Sequence, residues 1–253
     1  MRPYSNTSRP RILAVLSLLV FAGLWQLLSL WADSLLLPSP LAVCSVLWEE
    51  IQSGQLPYNL GWTLLRLVIS FTIAMLLGCA IGIILGRYNR LDNFFDNWLV
   101  IFLNTPALVT IILCYVWFGL VESAAILAVV INKVPNVVVT IREGTRTLNQ
   151  DLLEMAQCYQ FNRRKIFFDV IWPQLHPFVM SATRSGLALI WKIILVVELL
   201  GRSNGMGYQL HLFFQLFNVA GILAYTIAFI TVIQIIEILI LKPLDKKGQR
   251  WRR

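Results

Sequence analysis

Charge is what this chain most lacks. Only 13% of its 253 residues are Asp, Glu, Lys or Arg, against roughly a quarter in an ordinary soluble domain, and 58% are hydrophobic. That balance excludes a typical soluble globular domain and points to a chain that crosses a membrane repeatedly. Cysteine is sparse: Cys44, Cys79, Cys114 and Cys158 form no CxxC pair and have no histidine at metal-ligand spacing. A disulfide framework and a metal site are therefore not expected. His176 and His211 stand alone and read as packing or interfacial residues. No GxxxxGK[ST] loop, no HExxH and no GxSxG occurs, so no catalytic residue is assigned and no nucleotide or other cofactor is expected on this chain. Uphill transport by such a chain would have to draw on an ion gradient or on a separate subunit.

What charge there is leans positive, with a net +8. Placement excludes a nucleic-acid partner, because the basic residues sit in short connections between apolar runs and not along one face. The apolar runs cover about 12–31, 62–85, 93–118, 123–141, 178–200 and 219–241. The first is about long enough to span a bilayer and lacks a small-x-small cleavage site, so it reads as a retained span. With six spans, sixteen of the 21 Lys and Arg residues fall on one side. They are Arg2, Arg9, Arg11, Arg87, Arg90, Arg142, Arg146, Arg163, Arg164, Lys165 and the tail's Lys242, Lys246, Lys247, Arg250, Arg252 and Arg253. Only Arg202 falls on the other. This is a positive-inside pattern, with both termini and the 142–177 loop in the cytoplasm. The expected fold is all-α, one polytopic domain over 1–253 with about six transmembrane helices, embedded in the lipid bilayer.

The 142–177 loop is the one long polar interval with a helix pattern. Leu152, Met155, Ala156 and Tyr159 fall at i, i+3, i+4 and i+7, one face of a helix. Asn149 is placed to cap its start and Asn162 to cap a second short helix that ends at Trp172-Pro173. An apolar stripe left in water is unfavourable, so either the bundle's own end or a protein partner must cover it. Arg163, Arg164 and Lys165 read either as a contact for acidic partner residues or as an anchor on anionic lipid. Pro38 and Pro40 precede a short amphipathic helix over 41–51.

Glu154-Met155-Ala156, then three residues, Gln160, nine residues, and Val170-Ile171-Trp172-Pro173 follow a known spacing. They resemble the Glu-Ala-Ala, Gly, Ile-x-Leu-Pro loop of permease subunits in binding-protein-dependent type I ABC importers. Glu154, Ala156 and Pro173 match; Met155, Gln160 and Trp172 depart. Losing the glycine suggests a differently shaped bend at Gln160. Leu36-Leu37-Pro38-Ser39-Pro40, Trp117-Phe118-Gly119, Glu198-Leu199-Leu200-Gly201 and Gly205-Met206-Gly207-Tyr208 are similar to the nitrate/sulfonate/taurine branch. The resemblance implies a bacterial inner-membrane location and a second copy of the chain. It also implies two ATP-binding cassette ATPase subunits that hold ATP and Mg, and a periplasmic solute-binding protein. The loop would dock the ATPase, and ATP-driven closure would alternate access for a small anion such as a sulfonate, taurine or nitrate. The rival is a gradient-driven carrier or channel.

Residues inside the spans supply pathway candidates. Asn104 and Pro106 mark a kink in the third span. Lys133, Lys192 and Glu198 are intramembrane charges, costly there and so expected to face protein or water. Lys133 and Lys192 either favour an anionic substrate or pair and snorkel within the bundle. Gly78, Gly82 and Gly86 form overlapping GxxxG patterns, read as close helix packing or as a tight contact near the pathway.

Overall fold

The computed structural model describes residues 9–32, 36–241 and 243. The expected cytoplasmic termini rest on residues 1–8 and 244–253, which lie outside the described residues. Among the described residues the chain is helical, with no strand. The helices are α1 Arg9–Ala32, α2 Pro40–Gln52, α3 Gln55–Arg87, α4 Asn89–Asn104, α5 Ala107–Phe118, α6 Glu122–Arg146 and α7 Gln150–Cys158. They continue as α8 Arg163–Lys165, a π-helical segment Ile166–Ile171, α9 Trp172–Gly201, α10 Met206–Gln215, α11 Val219–Ile236 and a second π-helical segment Glu237–Leu241.

By length and composition α3, α6 and the stretch Val219–Leu239 can each cross a membrane, and α4 with α5 would make a fourth span if the bent pair counts as one. The 30-residue α9 is long enough but carries Arg184, Lys192 and Glu198. Five of the predicted runs coincide with helical stretches. The run 93–118 does not: α4 and α5 meet at 95°, a break and not a kink. Thr105 is extended (φ −71°, ψ 123°), because the ring of Pro106 disfavours the helical conformation for the residue before it. Pro106 also has no N–H with which to continue the α4 ladder.

The core is built on α6, which packs against α3, α9, α5 and α4. Its closest neighbour is α3, and the glycine pattern is the reason. A Cβ on Gly78 would meet Val137, one on Gly82 would meet Ile141 and one on Gly86 would meet Thr145. Both numbers rise by four together, so the two helices run parallel in register, and the connection through α4 and α5 returns the chain. Bare backbone on α3 lets α6 approach to van der Waals contact, the main attraction available where water cannot drive association. A second layer of α2 and α11 closes one flank, where Tyr225 donates its hydroxyl to Glu50 at 2.8 Å. Ser39 caps α2, accepting from the Ala42 N–H at 3.2 Å. α1 is tied on by Trp25 and Ser29, whose side chains donate to the Pro38 and Leu37 carbonyls.

The bundle has two ends. The Glu198 end carries the starts of α3 and α6 and the finish of α9. The Arg146 end carries the turn into α4 and the connection to α7. At the Arg146 end Arg142 donates to Asp92 at 2.9 Å and to Asp96 at 2.7 Å, and Arg146 reaches both Asp92 and Glu143. These pairs fix the start of α4 on the end of α6.

Candidate functional site

The 149–173 connection forms as its caps predict at the start and differently at the finish. Asn149 Oδ1 accepts from the Leu152 N–H at 3.3 Å and Asn162 Oδ1 from the Lys165 N–H at 2.8 Å. Between them α7 ends in a Schellman motif: the Phe161 N–H donates to the Ala156 carbonyl at 3.0 Å and the Gln160 N–H to the Gln157 carbonyl at 2.9 Å. Gln160 takes φ +52°. The bend is therefore the left-handed kind that glycine makes, formed by glutamine against its preference, and not a differently shaped one. The second expected helix does not stop at Trp172-Pro173. α8 runs through the π-helical segment into α9, and the Trp172 N–H donates to the Phe167 carbonyl five residues back. Proline at the first turn of α9 has no N–H to leave unsatisfied, so Pro173 is accommodated.

One feature of this connection carries no sequence signal. Gln174 Oε1 accepts from the Asn149 N–H at 2.9 Å while its Nε2 donates to the Val170 carbonyl at 2.8 Å. Gln174 thus clamps the start of α7 to the root of α9.

The apolar stripe of α7 divides. Ala156 is buried against its own chain, whereas Leu152, Met155 and Tyr159 are 41%, 43% and 72% exposed. The bundle's own end does not cover them. Glu154, Gln160, Arg163, Arg164 and Pro173 are exposed beside them. Lys165 lies over the Phe161 ring at 4.1 Å.

At the Glu198 end lies a network that sequence reasoning misses. Its centre is Arg66 of α3. Nη1 donates to Glu198 Oε1 at 2.7 Å and to the Asn204 carbonyl at 3.0 Å. Nε and Nη2 grip Glu122 at 2.9 and 2.7 Å, a bidentate fork, and Nη2 also reaches the Asn204 side chain. Arg202 adds bonds to Glu122 at 2.6 Å and to the Leu120 carbonyl at 2.7 Å. Glu198 Oε2 accepts from Thr63 and from the Gly207 N–H, both at 2.9 Å. Thr63 in turn accepts from the Met206 N–H, and Asn59 from the Gly205 N–H, each at 2.8 Å. Two arginines and two glutamates balance in charge. Together they fasten α3, α6, α9 and the turn into α10. Gly205, at φ +109°, and Gly207 press so closely on Glu198 that a side chain at either would collide with it.

The predicted pathway residues are not brought together. Glu198 is wholly inside this network and does not meet Lys133 or Lys192. Lys133, 1% exposed, lies between α3, α6 and α9, its Cε against Gly186 and its Nζ without a hydrogen-bond partner among the described residues. Lys192 is exposed on α9, and Asn104 and Pro106 are exposed at the α4–α5 elbow.

Residues 74–242 match the family described as binding-protein-dependent transport system inner membrane component. The SsuC permease of Escherichia coli (strain K12), named for aliphatic sulfonates transport, is 32% identical over 190 residues, 74% of this chain and 72% of the relative. The taurine transport system permease protein TauC of the same organism is 25% identical, covering 96% and 91%. The nitrate import permease protein NrtB of Synechocystis sp. is 23% identical, covering 81% and 78%. The fold is also that of a chain in the crystal structure of an amino acid ABC transporter with histidines. That match has TM-score 0.62 and 18% identity and covers 81% of this chain and 97% of the other. A chain of the inward-facing MetNI methionine ABC transporter matches at TM-score 0.59 and 15% identity, covering 79% and 96%. Permeases of this kind are integral inner-membrane subunits that work with a separate ATPase, a binding protein and a partner permease, and are not themselves enzymes. With the match covering well over half of its length, the chain belongs to the binding-protein-dependent transport system inner membrane component family, as a transmembrane permease subunit of an ABC importer.

Proposed function

We propose that two copies of this chain form the path for a small organic or inorganic anion, of the sulfonate, taurine or nitrate class, and that each docks one ATPase subunit on α7. ATP and Mg belong to that ATPase. A periplasmic binding protein delivers the solute at the Glu198 end. The Arg146 end and both termini face the cytoplasm, in keeping with the positive-inside distribution. The observation that carries this reading is the exposed face of Leu152, Met155 and Tyr159 on a helix capped at its start and closed by a Schellman turn at its finish. Such a face is held in shape before its partner arrives, which lowers the ordering cost of docking.

The geometry supports a mechanical role for α7. Gln174 binds it to the root of α9, and only Thr147 to Asn149 separate it from α6. A displacement of α7 by a closing ATPase is passed to both long helices at once. The anion preference rests on the names of the relatives.

The test is ATP hydrolysis in proteoliposomes holding the permease, its ATPase and its binding protein. Hydrolysis should rise when the loaded binding protein is added, and Met155→Asp should remove that rise. Uptake that follows a proton or sodium gradient and ignores ATP would replace this reading with the gradient-driven carrier.

A further inference from the structure

Lys133 carries a charge that the helices around it do not answer. It is 1% exposed, and its Nζ has no hydrogen-bond partner among the described residues. It stands near the middle of α6, about 16 Å from Glu122 and about 15 Å from Glu143 along the helix, at about 1.5 Å per residue, so neither carboxylate reaches it. α3 and α5 contain no acidic residue. On α9, Glu198 lies about 18 Å along the helix from Gly186, against which the lysine stem rests. Asp92 and Asp96 of α4 are held by Arg142, more than two turns further along α6. Among the described residues the cation–π contacts belong to Arg66 and Lys165, so no ring takes the charge instead.

A second orphan lies in the same part of the bundle. Ser70 of α3 is wholly buried, and its Oγ has no partner among the described residues. Thr63 and Thr72 of α3 and Thr140 and Thr145 of α6 each donate to the carbonyl four residues earlier. Ser70 does not. Extended by one turn, the register that sets Gly78 against Val137 places Ala74 opposite Lys133, and by two turns it places Ser70 opposite Val129. Side chains lean toward the start of their helix, which carries the lysine stem from its own layer toward that of Ser70. Gly186 completes the cradle, because a Cβ there would stand 2.9 Å from Lys133 Cε and 3.5 Å from its Nζ.

An uncompensated ammonium in a membrane interior is among the costliest groups a protein can bury. Were Ser70 to accept from Lys133 directly, the charge would stay unbalanced, and a water molecule between them would accept hydrogen bonds but leave the charge as well. A carboxylate of another chain does not reach a side chain that its own helices cover. We infer that the junction of α3, α6 and α9 holds one small monovalent anion of the halide class, bound by Lys133 Nζ and Ser70 Oγ, as a fixed counter-ion inside each copy of the chain. A single-atom ion suits helices packed this closely, where an organic acid does not fit. The ion belongs to the folded permease and is separate from the solute, so the inference stands apart from the proposed function.

The test uses bromide as the probe. The full complex is produced in cells grown with bromide in place of chloride, so that the site is filled during folding, and is then purified and crystallised in bromide. An anomalous bromine peak in contact with Lys133 Nζ and Ser70 Oγ is expected, and Lys133→Met, of similar length but uncharged, should lack it. Thermal melts of the same complex are then recorded as chloride replaces gluconate at constant ionic strength. The native protein should melt higher in chloride, and Lys133→Met should melt at one temperature throughout. Ser70→Ala should need roughly tenfold more chloride for half of the native shift, as loss of one hydrogen bond to a charged group implies. A junction without the bromine peak, whether it holds water or a bare amine, would overturn the inference, as would a native melt indifferent to chloride. A chloride shift that Lys133→Met retains would belong to an adventitious ion elsewhere and would overturn it too. Copurification of the ATPase is read separately on the same samples, so failure of the ion site is distinguishable from failure of the importer reading.

Discussion

At the Glu198 end of the bundle the polar groups find one another; at the Arg146 end an apolar face does not. Arg66, Glu122, Glu198 and Arg202 are matched in sign and cross-linked through Thr63, Asn59 and the 204–207 backbone. Of the hydrogen-bonding side-chain atoms of these four residues, only Arg202 Nε is buried without a partner among the described residues. On α7, Leu152, Met155 and Tyr159 are held in place by caps and by the Gln174 clamp and yet stay exposed. Asp92, Arg142 and Arg146 strengthen the same end, but they hold α4 to α6 and leave α7 uncovered. One end is completed by the chain itself, and the other leaves an apolar face open.

The Glu198 end is most sensitive at Arg66. Arg66→Ala leaves the buried Glu198 with its Thr63 and Gly207 hydrogen bonds but without a counter-ion, and a loss of about 3–5 kcal/mol is expected. A thermal melt of the purified protein in detergent would show it. At the other end Arg142→Ala should cost about 1.5–3 kcal/mol, because Asp92 keeps Arg146 as a partner. If Arg142→Ala proved more damaging than Arg66→Ala, the ranking of the two ends would be reversed. Gly207→Ala comes next: its Cβ would strike the Leu195 carbonyl and Glu198, and about 1–3 kcal/mol of overpacking is expected in the same melt.

The smaller effects sharpen the contrast at α7. Gln160→Gly should raise stability by about 1 kcal/mol, since glycine relieves the left-handed strain at φ +52°. Met155→Ala should leave the stability of the isolated permease within about 0.5 kcal/mol of the native protein, as exposed substitutions do, while ATPase stimulation falls. Ala156 belongs to the opposite class. It is fully buried in its own chain, so a charge placed there would damage the fold and would say nothing about docking.

Much of this architecture is written in local pattern. Helix periodicity locates α7, asparagines at 149 and 162 announce the starts of α7 and α8, and the glycines at 78, 82 and 86 announce a close neighbour. Pro106 announces a kink and not the 95° break, because the size of the turn depends on where α5 packs after the chain leaves the helix. The Glu198 network is not legible. Arg66 meets residues 56 and 132 positions away, and no spacing rule joins residues so distant. Gln160 misleads in the other direction: the rule against glutamine at a left-handed position is sound, yet the flanking hydrogen bonds of the Schellman turn override it. Pro173 reads as a stop, but a π-helical turn before it lets the helix continue.

Import by this permease depends, in the proposed mechanism, on α7 as the docking face for an ATPase. That docking is tested most directly by purifying the tagged permease from its native membranes and identifying the proteins that accompany it, with Leu152→Asp and Met155→Asp as variants. Both positions are exposed, so the permease itself should fold and reach the membrane in normal amount. An ATP-binding cassette subunit should accompany the native chain and be lost from both variants. An ATPase retained by both, or absent from the native preparation while other such complexes survive the same detergent, would contradict it.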